Sequence, residues 1–118
     1  MGAQSVLGTR VEVYNLAKIS IGSNVVVSQG SYLCSASHDY TDPAFPLFFR
    51  PIVIEDSAWI ASNAFVGPGV SIGKGAVIGA CAVVVKDMPA WMVCAGNPCQ
   101  PVKRREMRGG SSPRVMTP

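Results

Sequence analysis

The chain of 118 residues is poor in charge, in histidine and in long apolar runs. No stretch reaches the roughly 18 uninterrupted apolar residues of a membrane span, and the first ten residues lack a charged start followed by an apolar block. The expectation is a soluble, unexported, cytoplasmic protein without a membrane span. The four cysteines, Cys34, Cys81, Cys94 and Cys99, form neither a CxxC pair nor a Cys/His spacing, so reduced thiols are expected and no metal site. His38 is the one histidine, which leaves a zinc site built on three imidazoles without its ligands.

The modest positive charge is local. Lys103, Arg104, Arg105, Arg108 and Arg114 all lie in the last sixteen residues, opposed by Glu106, while residues 1–102 hold five cations and six anions. Nucleic-acid binding calls for a basic face interleaved with aromatics, and no such face is present. The length fits one core, so a single domain over 1–102 is expected, with 103–118 as a basic, flexible tail that has too little apolar surface to order itself.

What the sequence has in quantity is repetition. From Ile54 it divides into hexads IEDSAW, IASNAF, VGPGVS, IGKGAV, IGACAV and VVKDMP, each opened by an aliphatic residue. The fifth position is small at Ala58, Ala64, Val70, Ala76 and Ala82 and fails at Met88. A period of six is a multiple of two and suits alternating β-structure, not the helical 3.6. Stacked hexads satisfy one another's backbone groups as parallel ladders, which predicts an all-β solenoid. The parse recovers earlier hexads from Ile21, Val27 and Leu33, and a less regular pair from Leu7 and Val13, with Ile19 and Ser20 as a two-residue slip. Residues 39–53 break the period with three prolines and read as a long excursion loop, a packed flap in which Phe45, Phe48 and Phe49 cover a surface.

The aliphatic-Gly-x-x-small-x array, SASHDY ending at His38, IVIEDSAWI with Trp59, VIGACAVVVKDMP and AGNPCQPVKRR together resemble the hexapeptide-repeat acyltransferases, notably the maltose, galactoside and colanic-acid O-acetyltransferases. The likeness runs from about Leu7 to Arg105. It implies a left-handed parallel β-helix with three hexads per coil, a homotrimer with active sites between subunits, and acetyl-CoA as co-substrate for transfer to a sugar hydroxyl. With three hexads per coil, the outward sixth positions sort into three faces: Val26, Trp59 and Val77; Tyr32, Phe65 and Val83; His38, Ser71 and Pro89. Two of these are apolar, as an association surface would be.

The resemblance implies that His38 is the base that takes the acceptor's proton. Asp39 and Asp56 are candidates to orient its ring. Ser62, Ala80 and Pro98, spaced by 18 residues, are expected to stack along one corner and, with Val85, Lys86, Gln100 and Lys103, to bind the coenzyme. Lys86 and Lys103 would meet its phosphates as point charges. Val85 and Gln100 depart from the hydroxyl and arginine common in the resembling enzymes. Trp59 and Asn15 are candidates to line the acceptor cleft. The resembling enzymes carry further segments before the equivalent of Leu7, which implies that acceptor contacts are reduced here. An antibiotic-modifying O-acetyltransferase and a non-catalytic trimeric scaffold or binding protein are the alternative expectations.

Overall fold

Short runs of alternating residues separated by tight corners make strands too brief to stand alone, so each depends on the coil above and below it. The computed structural model describes residues 1–108, and among these it forms fifteen strands and no helix. The first coil comprises β1 (Val6–Leu7), β2 (Glu12–Tyr14) and β3 (Ile19–Ile21). The second has β4 (Val26–Val27) and β5 (Tyr32–Cys34). It then makes a hairpin of β6 (Ala36–His38) and β7 (Leu47–Phe49) before returning as β8 (Ile52–Ile54). The third is β9 (Trp59–Ile60), β10 (Phe65–Val66) and β11 (Ser71–Ile72). The fourth is β12 (Val77–Ile78), β13 (Val83–Val84) and a single bridge at Met88. β14 (Met92–Ala95) and β15 (Gln100–Arg104) close the stack.

Three parallel columns result. β1, β4, β9, β12 and β14 form one face; β2, β5, β10 and β13 the second; β3, β8 and β11 the third. This is the left-handed parallel β-helix. First-position Ile54, Ile60, Val66, Ile72, Ile78 and Val84 point inward with at most 1% exposure, and the fifth-position alanines are at most 2% exposed, so the solenoid is filled by its own alternation.

Coil length varies, and the variation sits at one corner. Val6 pairs with Val26, twenty residues on; Val26 with Trp59, thirty-three on; Trp59 with Val77, eighteen on; Val77 with Val93, sixteen on. The first coil's two extra residues fall at Asn15–Lys18, between β2 and β3, so the slip lies there and Ile19 and Ser20 are regular strand. The second coil's fifteen extra residues are the hairpin, residues 36–50, at the same corner. The excursion therefore begins and ends three residues earlier than the broken period suggests, because Ile52–Ile54 already belongs to the third column. The fourth coil is two residues short there as well: Met88, not Pro89 or Ala90, closes onto Ile72, and the Asp87 carboxylate accepts the Ser71 N–H at 2.8 Å.

These shifts change two expected alignments. The third outward column is Ser20, Val53 and Ser71; His38 is carried away from it on the hairpin. Gly96, not Pro98, follows Ala80 along its corner, because Ile78 pairs with Cys94 only sixteen residues later. The other two outward columns are as expected, with Val26, Trp59 and Val77 in register on one and Tyr32, Phe65 and Val83 on the other. Tyr32 and Phe65 meet edge to face at 5.8 Å.

The hairpin is less covered than a packed flap. Phe48 is half-buried, but Phe45 and Phe49 are each 55% exposed in the single chain. At the other end of the molecule, β15 runs antiparallel to β14 through Arg104, past the expected boundary at 102. Arg105 continues it: its Nη1 donates to the carbonyls of Ser57 and Gly75, and its guanidinium lies over Trp91. The rest of the anticipated tail from 109 onward, Arg114 included, lies outside the described residues.

Candidate active site

His38 is the last residue of β6 and pairs with Leu47 across the hairpin. The turn that returns the chain is held by Asp42, whose Oδ1 accepts the Ala44 N–H and whose carbonyl accepts the Phe45 N–H. That turn sets Phe45 in the left-handed region, at φ 52°. Its ring then stacks on the imidazole, with centroids 4.3 Å apart and planes 8° from parallel. Its carbonyl oxygen lies 3.2 Å from His38 Nδ1. A carbonyl can only accept, so Nδ1 donates, and in the neutral imidazole the lone pair is on Nε2.

Phe45 thus does the orienting for which Asp39 and Asp56 were candidates. Asp39 Oδ1 accepts from the Thr41 hydroxyl and N–H, and the hydroxyl bond, reinforced by the backbone one, holds its carboxyl below the usual range. Asp56 Oδ1 accepts the Ser23 N–H on a different corner. A backbone carbonyl has no signature in the sequence; only the hairpin reveals it.

His38 borders a cavity of about 450 Å3 with Ser37, Asp39, Phe48 and Arg50. Ser37, Phe48 and Arg50 also wall a second cavity of about 300 Å3, completed by Phe65, Pro68 and Val85. Val85 in turn lines a third, of about 320 Å3, with Lys86, Pro98 and Gln100. The three adjoin along the irregular corner, so four of the seven candidate coenzyme residues gather at one end of a groove that has His38 at the other. Asn15 is exposed at the same corner, one coil before the hairpin, beside the Tyr14 carbonyl to which Ser35 binds.

The remaining candidates lie elsewhere. Ser62 and Ala80 share a different corner, where the Cys81 N–H donates to the Ser62 carbonyl. Trp59 is 43% exposed on the first face, its Nε1 donating to Ser28 Oγ at 2.9 Å. Lys103 is exposed on β15, paired with Val93. One chain therefore does not unite Trp59, Ser62, Ala80 and Lys103 with His38. Arg50, which walls two of the three cavities, was not singled out in the sequence; a lone arginine beside a proline carries no pattern. Among the described residues no cluster of three or more His, Cys, Asp or Glu side chains is arranged to hold a metal.

A parallel β-helix of six-residue repeats with a histidine-bearing hairpin at one corner defines a hexapeptide-repeat fold. Residues 51–86 match the family described as bacterial transferase hexapeptide (six repeats), and the chain is a hexapeptide-repeat protein. It is 44% identical over 105 residues to WcaF of Escherichia coli (strain K12), provisionally assigned as a colanic acid biosynthesis acetyltransferase. That alignment covers 89% of this chain and 58% of WcaF. The structure of the hexapeptide-repeat acetyltransferase VCA0836 from Vibrio cholerae superposes with a TM-score of 0.84 at 31% identity, covering 91% of this chain and 62% of that one. A galactoside acetyltransferase solved with coenzyme A gives 0.76 at 27% identity, over 87% of this chain and 56% of that one. The chain thus spans a little over half the length of the curated protein WcaF.

Proposed function

We propose that the protein is an acetyl-CoA-dependent O-acetyltransferase acting on a sugar or saccharide hydroxyl, with His38 as general base. The observation that carries this reading is the His38–Phe45 arrangement, in which Nδ1 is committed to a carbonyl, Nε2 has no hydrogen-bond partner among the described residues, and His38 lines a cavity large enough for a sugar. The similarity to acetyltransferases, one of them solved with coenzyme A, supports the same chemistry.

In this mechanism Nε2 takes the acceptor hydroxyl's proton as its oxygen attacks the acetyl thioester carbon. The tetrahedral intermediate collapses by breaking the C–S bond. The imidazolium returns its proton to the departing coenzyme thiolate, leaving acetyl ester and free thiol. Val85, Lys86, Pro98 and Gln100 hold the coenzyme along the groove, Lys86 meeting a phosphate and the turn backbone meeting the pantetheine amides.

The site is completed by assembly. Ser62, Ala80, Lys103 and Trp59 lie away from His38 within one chain, and the exposed column of Val26 and Trp59 is an apolar surface suited to a neighbouring copy. A homotrimer sets the column of one subunit beside the irregular corner of the next, and places each site between subunits. Cytoplasmic location follows from the use of acetyl-CoA.

The test is acetyl-CoA consumption with a panel of sugars and hydroxyl-bearing antibiotics, comparing wild type with His38→Ala. A 10²- to 10⁴-fold loss of kcat in the variant is expected, the usual contribution of a general base. Equal turnover in the two proteins refutes the role of His38. Preference for antibiotics would reassign the acceptor, and no turnover with any acceptor would point to a scaffold.

A further inference from the structure

Arg50 stands where the hairpin rejoins the solenoid; it is exposed, yet its backbone, stem and head all make contacts. Its N–H donates to the Ser35 carbonyl at 2.9 Å, and its own carbonyl accepts from Gly69. The stem lies over Gly69, where an added Cβ would sit 3.4 Å from Arg50 Cδ. The guanidinium carbon lies 5.4 Å from the centroid of the Phe48 ring. Backbone and stem are packed, and the Phe48 ring flanks the head, whose N–H groups make no hydrogen bond among the described residues and are left open to a ligand.

Arg50 lines two cavities at once. It is the one charged side chain lining the 300 Å3 cavity, among Phe48, Phe65, Pro68 and Val85. It is also a wall of the His38 cavity. The acid lining the His38 cavity, Asp39, has one oxygen engaged by Thr41. A guanidinium on an apolar wall that forms no ion pair among the described residues is suited to an anion, and its paired N–H groups match a carboxylate or phosphate.

We propose that Arg50 is a specificity-determining residue that reads a negative charge on the acceptor. The acceptor class is then a hydroxyl compound that also bears a carboxylate or a phosphate group. The anion lies on Arg50 and the hydroxyl is directed into the His38 cavity. This rests on the reading of His38 as the base that serves the acceptor. Of the coenzyme's candidate residues, Val85 shares the 300 Å3 cavity with Arg50, whereas Lys86, Pro98 and Gln100 line the third cavity, which Arg50 does not; the KM for acetyl-CoA therefore separates the two owners of the contact.

The experiment measures equilibrium binding of D-glucuronate, D-glucose 6-phosphate and D-glucose by ligand-detected NMR titration to wild type, Arg50→Gln and Arg50→Lys. Turnover and the KM for acetyl-CoA are followed in parallel. Wild type is expected to favour at least one anionic sugar over glucose by about three- to tenfold, the range of a partly exposed charge-assisted pair. Arg50→Gln abolishes that preference by weakening the anionic sugars selectively, and Arg50→Lys retains part of it. Which anion gains shows whether carboxylate or phosphate is read. No preference in wild type, a preference that survives in Arg50→Gln, or a raised KM for acetyl-CoA overturns the proposal. The binding comparison needs no turnover. Absence of acetyl transfer in wild type therefore counts against the acetyltransferase reading, while Arg50 is still decided by the titrations.

Discussion

Ser35→Ala tests how the irregular corner is held, and its cost can be worked from three hydrogen bonds. Ser35 is fully buried at the base of the hairpin. Its N–H and its Oγ both donate to the Tyr14 carbonyl, at 3.0 and 2.7 Å, and the same Oγ accepts the Ala17 N–H at 3.0 Å. Alanine removes Oγ but not the backbone donor, so the Tyr14 carbonyl keeps a partner and the loss falls on the Ala17 N–H. Ala17 is itself buried, and a buried donor left without an acceptor costs about 1–3 kcal/mol. For a cooperative unit of about 100 residues this lowers Tm by roughly 4–8 °C per kcal/mol, so a fall of at least 4 °C is expected. Thermal unfolding followed by circular dichroism, with an equilibrium denaturant titration, reads it directly. Ser31→Ala is the companion at a regular corner, where Oγ accepts the Ala64 N–H and donates to the Ala61 carbonyl, and a similar loss is expected. A Tm within about 1 °C of wild type for Ser35→Ala would refute the reasoning, since the Ala17 N–H would then have another acceptor.

Gly75→Ala is expected to cost about 2 kcal/mol or more, because Gly75 has φ 68° and an added Cβ would enter the ring of Trp91. A lower denaturant midpoint at unchanged m checks it, and wild-type stability would refute it. Cys81 is exposed whereas Cys34, Cys94 and Cys99 are buried, so a thiol reagent should label one cysteine quickly in the native protein and all four after denaturation. Burial pushes the Cys94 thiol up to about 11 and raises Cys99 too, so the native state retains protons that unfolded thiols lose near pH 8.5. Their contribution is complete below that pH and declines as pH rises toward 11, so Cys94→Ala should flatten the alkaline limb of a stability–pH curve.

The solenoid was legible because its signal is additive: Ile54, Ile60, Val66, Ile72 and Ile78 each repeat the same inward step. The departures were not, because a change in coil length leaves alternation intact on either side. VVKDMP reads as one more hexad, yet Met88 takes the inward first-position role after only four residues. The fifteen-residue length of the excursion was readable from the return of the period; its placement was not, since Ser37 and His38 fit the fifth and sixth places of a hexad although both stand exposed on the hairpin. The motif picked out His38, but its partner is a backbone carbonyl positioned by a turn, which side-chain identity does not encode. The face of Trp59 and the shared corner of Ser62 and Ala80 were legible from the 18-residue spacing, whereas the departure of Pro98 from that corner was not, because it follows from a coil two residues short.

Confining every length change to one corner gives the molecule a separation of duties. Two corners and three columns keep register, while the third accepts an added pair, a fifteen-residue arm or a missing pair without moving a core side chain. A graft made at Pro68–Gly69, the one turn of that corner with standard spacing, would extend the same edge and leave the barrel of isoleucines and valines unaware of it. Sequence drift in such a chain can alter what is held at the edge long before it threatens the fold.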